Sequence, residues 1–191
     1  LSVIQLSSRH TSEIVQALHS YSRRDDEKVS DVELSRVLDE TLDLLRHPLK
    51  SIKVDKHYAP GVVVRGNAGQ LGQVFMNLVT NAAQAIEETG HGGTIRLRTE
   101  ALPSGGAAVE VIDDGPGMTE EVRQRIFDPF FTTKEVGKGS GLGLSIVQSL
   151  VDRHGGTVRV ESRTDGPTHG TTFRVELPAT PITTTTIDKS G

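Results

Sequence analysis

The sequence predicts an α/β domain. Apolar residues recur at spacings of three and four over residues 32–46, 67–89 and 142–154, whereas apolar and polar residues alternate over 94–100, 107–112, 157–162 and 171–177. The two kinds of stretch interleave along the chain, which is the third observation. At 191 residues there is room for one sizeable domain and an appendage, and 35% hydrophobic with 24% charged residues is ordinary for a globular protein with a buried core. A formal charge of -4 with scattered basic residues gives no reason to expect nucleic acid or an anionic membrane as a partner. With no cysteine, disulfides and thiolate metal sites are excluded. No basic segment followed by an apolar block marks a signal peptide. The longest uncharged run, residues 66–86, holds seven Asn, Gln or Thr residues and is a poor membrane span. The chain starts at Leu1 rather than Met, so a fragment of something longer is expected.

Residues 1–22 have helical spacing, with Val3, Leu6, Ile14, Ala17, Leu18 and Tyr21 apolar, and residues 23–28 form a charged hinge. Ser30 or Asp31 is then placed to cap a helix carrying Leu34, Val37, Leu38, Leu42 and Leu45, which Pro48 ends. Residues 52–58 read as a strand, and Pro60-Gly61 turns into the short stretch 62–64. Asn67 caps the next helix, which stops near Gly90. Residues 94–100 and 107–112, joined by Pro103-Ser104-Gly105-Gly106, look like a hairpin with one buried face. Thr119 caps a helix over 119–127, residues 128–143 lose all periodicity, and residues 142–154 form an amphipathic helix closed by Gly155-Gly156. Two alternating strands and a Thr-rich, disordered tail complete the chain.

The helix capped by Asn67 has an unusual polar side. At about 100° per residue, Gln70, Gln73, Asn77, Asn81, Gln84 and Glu88 fall in a stripe about 80° wide, opposite Leu71, Phe75, Leu78, Val79, Ala82 and Ile86. Surface helices usually use Lys and Glu there, so an uncharged file of carboxamides suggests a specific ligand or metal. Three further clusters follow. In VIDDGPGM, residues 111–118, a strand delivers Asp113 to an edge, and Gly115 and Gly117 let backbone pass close to a flat ligand; taken alone, DDGPG is a turn between strand and helix. IFDPFFTTK, residues 126–134, holds three of the five Phe residues and alone suggests a core corner. GKGSGLGLSI, residues 137–146, opens a helix with alternate glycines, placing unpaired amides at its positive end, which favours an anion such as phosphate. Alone it is also compatible with a plain hinge.

Together and in this order, NLVTNAAQAI, VIDDGPGM, FDPFFTTK and GKGSGLGLSI resemble the N box, first glycine box, F box and second glycine box of two-component histidine kinases. The resemblance covers residues 32–178, including the closing GTTFRVELP. It implies a Bergerat-type two-layer α/β sandwich: a mixed, mostly antiparallel sheet with the three helices on one face, and ATP between helices and lid. The implied division is a remnant of the dimerisation hairpin over 1–24, a linker over 25–30, an ATP-binding catalytic domain over 31–178 and a tail over 179–191.

Residue by residue, Asn81 resembles the family's Mg²⁺ ligand, and Asn77 matches a position lining the same site. Asp113 looks like the carboxylate that accepts from the adenine amino group, walled by Gly115, Gly117 and Met118. Residues 128–140 are similar to the ATP lid, with Phe131, Thr132 and Thr133 along it and Lys134 and Lys138 as phosphate contacts and, with Asn77, as catalytic candidates. Gly139, Ser140, Gly141, Leu142 and Gly143 offer amides to the phosphates, and Thr171 or Thr172 closes the adenine side. Two departures stand out. Gln84 replaces the Lys common three residues after the metal-binding Asn, so lid lysines must neutralise charge. Asn77 stands where the hydrolysing relatives, of gyrase and Hsp90 type, carry a basic Glu, so phosphoryl transfer is expected rather than fast hydrolysis.

The expected activity is ATP-dependent histidine autophosphorylation followed by relay to a response regulator receiver domain, in a longer protein that is a homodimer. His10 and His19 lack the acceptor's sequence context, so the acceptor His is expected upstream of residue 1, and the other histidines read as surface residues. A cytoplasmic location is expected, with membrane anchoring of a longer protein left open. A serine kinase or ATPase of anti-sigma type, and a nucleotide-binding module inactive in isolation, are the alternatives.

Overall fold

The computed structural model describes residues 29–134, 139–166 and 169–179, so the expectations for residues 1–24, for most of the linker and tail, and for Lys138 lie outside the described residues. The elements run β1 (Ser30–Glu33), α1 (Leu34–Leu44), β2 (Ile52–Tyr58), β3 (Val63–Gly66), α2 (Ala68–Thr89), β4 (Gly93–Ala101), β5 (Ala107–Asp113), α3 (Glu120–Arg123), α4 (Gly143–Arg153), β6 (Thr157–Arg163) and β7 (Gly170–Leu177). A five-stranded sheet has the order β2-β4-β5-β7-β6. Its β2-β4 pair is parallel and the other pairs antiparallel, so the sheet is mixed and mostly antiparallel, as the resemblance implies.

The layers follow from alternation. Ile95 and Leu97 on β4, Val109 and Val111 on β5, and Phe173, Val175 and Leu177 on β7 are buried, and Leu71, Val74, Phe75, Leu78, Val79 and Ile86 of α2 pack on them. Val37 and Leu38 of α1 and Val147, Leu150 and Val151 of α4 flank α2 and complete one core. The opposite face of the sheet is ionic: Arg174 bonds Glu110 at 2.9 Å, Glu176 at 2.8 Å and also Glu100. Charged side chains dominate that face, with Ala108 and Ile112 as the apolar members on β5, so the larger apolar face is the one the helices cover.

The termini of α2 behave as their residues dictate. Asn67 accepts from the Gln70 amide at 2.9 Å, and Gly90 ends the helix at φ 72°. The start of α1 differs from expectation. Ser30 and Asp31 do not cap a helix but form β1, antiparallel to β3 with Ser30 opposite Gly66. The helix begins at Leu34, whose amide donates to the Val62 carbonyl at 3.1 Å, so backbone supplies what a capping side chain would have. Ser30, assigned to the linker, therefore opens the first strand. The helix expected over 119–127 is only α3; Thr119 does cap it, but turns take over from Gln124.

Candidate functional site

A cavity of about 350 Å³ lies between α2, the start of α4, residues 116–134 and the start of β7, within the usual range for a small-molecule site. Five members of the polar stripe, Gln73, Asn77, Asn81, Gln84 and Glu88, line it. One helical face thus becomes one wall, while the apolar face of the same helix is the core.

Asp113 closes one end. It is the last residue of β5 and 5% exposed, and its Oδ1 accepts from the amides of Gly115 at 3.0 Å and Thr171 at 3.2 Å. Oδ2 takes no hydrogen bond among the described residues, and the residue lines the cavity. Burial raises its pKa from 3.8 to about 6, against the two amides that lower it. Asp114 serves structure instead: its Oδ1 accepts from the Thr94 amide at 2.7 Å. Gly117, at φ 71°, has no room for a side chain, since an added Cβ would lie 2.0 Å from the Arg163 carbonyl oxygen. Met118, Ile126 and Phe173 supply apolar surface beside it.

The other end is the N-terminus of α4. Leu142, the N-cap, has no side-chain capping bond, and the Asn77 Nδ2 donates to the Gly143 carbonyl at 3.2 Å. The first-turn amides, with Leu142, Gly143 and Leu144 on the cavity wall, therefore point their partial positive charge at the space beside Asn77 and Asn81. The far end of α4 is also fixed to α2. His154 is buried, at 6% exposed: Nδ1 bonds the Leu150 carbonyl at 2.8 Å and Nε2 accepts from the Asn67 amide at 3.1 Å. This corrects the reading of His154 as a surface residue; the bonds make it the neutral Nδ1–H tautomer. His169 is exposed as expected, although its Nδ1 bonds the Gly115 carbonyl at 2.8 Å.

The loop between these ends is anchored by its backbone. The Phe130 amide donates to the Gly141 carbonyl at 2.9 Å, with Phe130 at φ 67° and Gly141 at φ 67°. Phe130 itself is 75% exposed, while Phe131 lines the cavity under Arg125, 4.4 Å from its ring centre. The Phe cluster is thus split: Phe127 and Phe131 pack against the core, as a core corner would, and Phe130 does not. Lys134 Nζ bonds the Gln84 side-chain oxygen, so a loop lysine reaches the position where Gln84 departs from the common lysine.

Of the residues singled out from sequence, Asn77, Asn81, Gln84, Asp113, Gly117, Met118, Phe131, Thr132, Thr133, Lys134, Gly139, Ser140, Gly141, Leu142, Gly143 and Thr171 all line this cavity. Gly115 sits behind Asp113 rather than on the wall. Thr172 is on the other face of β7, opposite Ile112, so of the two threonines Thr171 is the one at the cavity. Thr80, Ala85, Ile126 and Phe173 were not singled out; their apolar or small side chains carry no signal that separates a pocket wall from core.

The donor set fits a magnesium nucleotide. Mg²⁺ keeps several waters and needs few protein ligands when phosphates supply the rest, and Asn81 lines the cavity with a carboxamide that makes no hydrogen bond among the described residues. No group of three or more His, Asp or Glu among those residues forms an all-protein metal cage. At the other end, a buried carboxylate with one unpaired oxygen suits an exocyclic amino group.

The chain is similar to known proteins over most of its length. It is 35% identical over 192 residues to the sensor kinase CckA of Brucella abortus, an alignment covering 92% of this chain and 20% of that protein. It spans between 20% and 36% of the length of the curated relatives it matches. Among solved structures, a mycobacterial sensor histidine kinase MprB superposes with a TM-score of 0.70 at 30% identity, covering 81% of this chain and 99% of that one. The histidine kinase ThkA, crystallised with the response regulator TrrA, gives 0.72 at 30% identity over 94% of this chain and 50% of that one. The pattern of one family matches residues 66–181, which hold every cavity-lining residue named above. The chain belongs to that family, the histidine kinase-, DNA gyrase B- and HSP90-like ATPases.

Proposed function

We propose that this chain is the catalytic part of a sensor histidine kinase. It holds Mg-ATP with adenine on Asp113 and the phosphates at the start of α4, and transfers the γ-phosphoryl group to a histidine on a dimerisation hairpin of the same kinase. One observation carries the choice of transfer over hydrolysis. The only carboxylates on the cavity wall among the described residues are Asp113 and Glu88, and neither is near the first turn of α4: Glu88 lies about 16 Å along α2 from Asn77 at 1.5 Å per residue. Among the described residues no general base is positioned to activate water where the phosphates would lie.

Asn81 would hold the Mg²⁺, which supplies charge neutralisation between the phosphates. Asn77 holds the start of α4 against α2 through Gly143, keeping the helix amides aimed at the phosphates. Lys134, with Lys138 as a second cation, exchanges its bond to Gln84 for a phosphate oxygen. The acceptor imidazole nitrogen attacks the γ-phosphorus, the bond to the β–γ bridging oxygen breaks, ADP leaves and the imidazole gives up its N–H proton to water. The product then passes its phosphoryl group to a response regulator, a partner supported by analogy with ThkA, which was crystallised in complex with the response regulator TrrA. We place the hairpin's second helix within residues 1–24, with the acceptor outside this chain, in a cytoplasmic part of a homodimeric protein. Among the described residues no helix is long and apolar enough to cross a membrane.

Incubation with γ-labelled ATP, with and without an added hairpin carrying a histidine, tests this reading. Acid-labile label on that histidine and slow phosphate release are expected. Label on serine of a partner, or phosphate release by the chain alone as fast as that of the hydrolysing gyrase and Hsp90 type, would overturn it. Lys134→Met is expected to weaken ATP binding about tenfold and leave adenosine binding unchanged in calorimetry, because only the phosphates lose a charge-assisted bond. An equal loss on both ligands would assign Lys134 a structural role.

A further inference from the structure

Ser162 received no role from the sequence, being one polar residue near the end of an alternating strand. In the structure its hydroxyl joins the two segments that build the closed end of the cavity. Oγ lies 2.8 Å from the Met118 amide, 2.9 Å from Thr171 Oγ1 and 3.1 Å from the Gly170 carbonyl oxygen. The register explains the meeting, because Ser162 pairs with Thr171 and Arg163 with Gly170 across β6 and β7, while Gly117 is seated against the Arg163 carbonyl.

Three contacts must share few hydrogens. The Met118 amide can only donate and the Gly170 carbonyl can only accept. If Ser162 gave its hydrogen to Thr171, the Gly170 contact would have none. All three are supplied when Ser162 donates to Gly170 and accepts from both the Met118 amide and the Thr171 hydroxyl. Thr171 then has its hydrogen committed, and its remaining lone pairs are what it offers to the cavity it lines. Beside it stands the unpaired Asp113 Oδ2, which when ionised is also an acceptor.

We infer that Ser162 is a positioning residue for base selection: by engaging the Thr171 hydroxyl and the Met118 amide, it makes the closed end of the cavity present acceptors only, favouring a 6-amino purine over a 6-oxo purine. The inference rests on the proposed nucleotide site. Asp113 supplies the main discrimination by direct contact, and Ser162 acts through Thr171. With Ser162→Ala the Thr171 hydroxyl is released to rotate and donate to a 6-oxo group, so selectivity falls while the phosphate end is untouched.

The test is the ratio of ITP to ATP dissociation constants measured by calorimetry on the whole chain. Ser162→Ala is expected to lower the ratio about tenfold, the worth of one hydrogen bond, and Ser162→Thr, which keeps the hydroxyl, to retain the original ratio. Thr171→Val should lower the ratio as well, and the double variant Ser162→Ala/Thr171→Val should add nothing to Thr171→Val alone. The Thr171→Val measurement stands whether or not Ser162→Ala folds. An unchanged ratio in Ser162→Ala or in Thr171→Val, or additive effects in the double variant, would overturn the inference and leave the ATP reading intact. Failure of the unaltered chain to bind ATP would overturn both.

Discussion

Asp113→Asn is expected to weaken ATP binding at least about 100-fold without unfolding the protein. The substitution keeps an oxygen where Oδ1 accepts from Gly115 and Thr171, so the local backbone retains its partners. It replaces Oδ2 with a donor that meets the donor amino group of adenine. Losing a charge-assisted bond and leaving two donors opposed costs roughly 3 kcal/mol or more, hence the factor of about 100. ITP, whose 6-oxo group accepts, should lose far less. Similar losses for both nucleotides would remove Asp113 from base recognition.

The same carboxylate couples binding to pH. Its pKa in the folded chain is about 6, above the ordinary 3.8, so the nucleotide-free fold binds more protons than the unfolded chain in that interval. The group therefore costs nothing below about pH 4, and its penalty grows to about 3 kcal/mol as the pH rises past 6, at 1.36 kcal/mol per pH unit. Asp113→Asn should accordingly gain stability over the unaltered chain at pH 7 and little at pH 4 in urea titrations. ATP affinity should fall below pH 6 in the unaltered chain, as the acceptor is protonated. Loss of function with a gain in stability is the signature of a group kept for its ligand.

Gly141→Ala is the second large effect, expected to weaken ATP binding about 30-fold with little change in melting temperature. Its Cβ would fall 2.4 Å from the Phe130 carbonyl carbon and 2.7 Å from its oxygen, and φ 67° is a backbone region that side chains disfavour. The strain, about 1–3 kcal/mol, is relieved by breaking the Phe130–Gly141 bond and moving the turn that leads into α4. Neither residue belongs to the core, so the fold keeps its stability. Gly139→Ala is the matched control: its Cβ would first meet Thr132 Oγ1, at 3.0 Å, a side-chain atom that can rotate away. Equal losses in the two variants would show that flexibility of the loop, and not the left-handed turn, is what matters.

Much of this site was legible because its residues are linked through local geometry. The carboxamide stripe needs only the helical period, and Asn67 and Gly90 mark the ends of that helix by their own chemistry. Asp113 could be singled out as an acid ending an apolar strand. What could not be read depends on partners distant in sequence. β1 is four residues long and exists because residues 63–66 lie beside it, so Ser30 and Asp31 looked like helix caps. Ser162 meets Met118 from 44 positions away, and His154 meets Asn67 from 87. Polar residues at the end of an element look alike until the sheet register and the helix packing bring their partners to them.

The two bonds between α2 and α4 bear on how the protein comes apart. Asn77 holds the first residue of α4 and His154 holds its last turn to the amide of the residue that caps α2. To leave the core, α4 would have to surrender its apolar contacts and strip both bonds at once, exposing a buried imidazole and an amide. The two helices therefore open as one cooperative unit, and the first turn of α4, on the cavity wall, inherits the protection of the core.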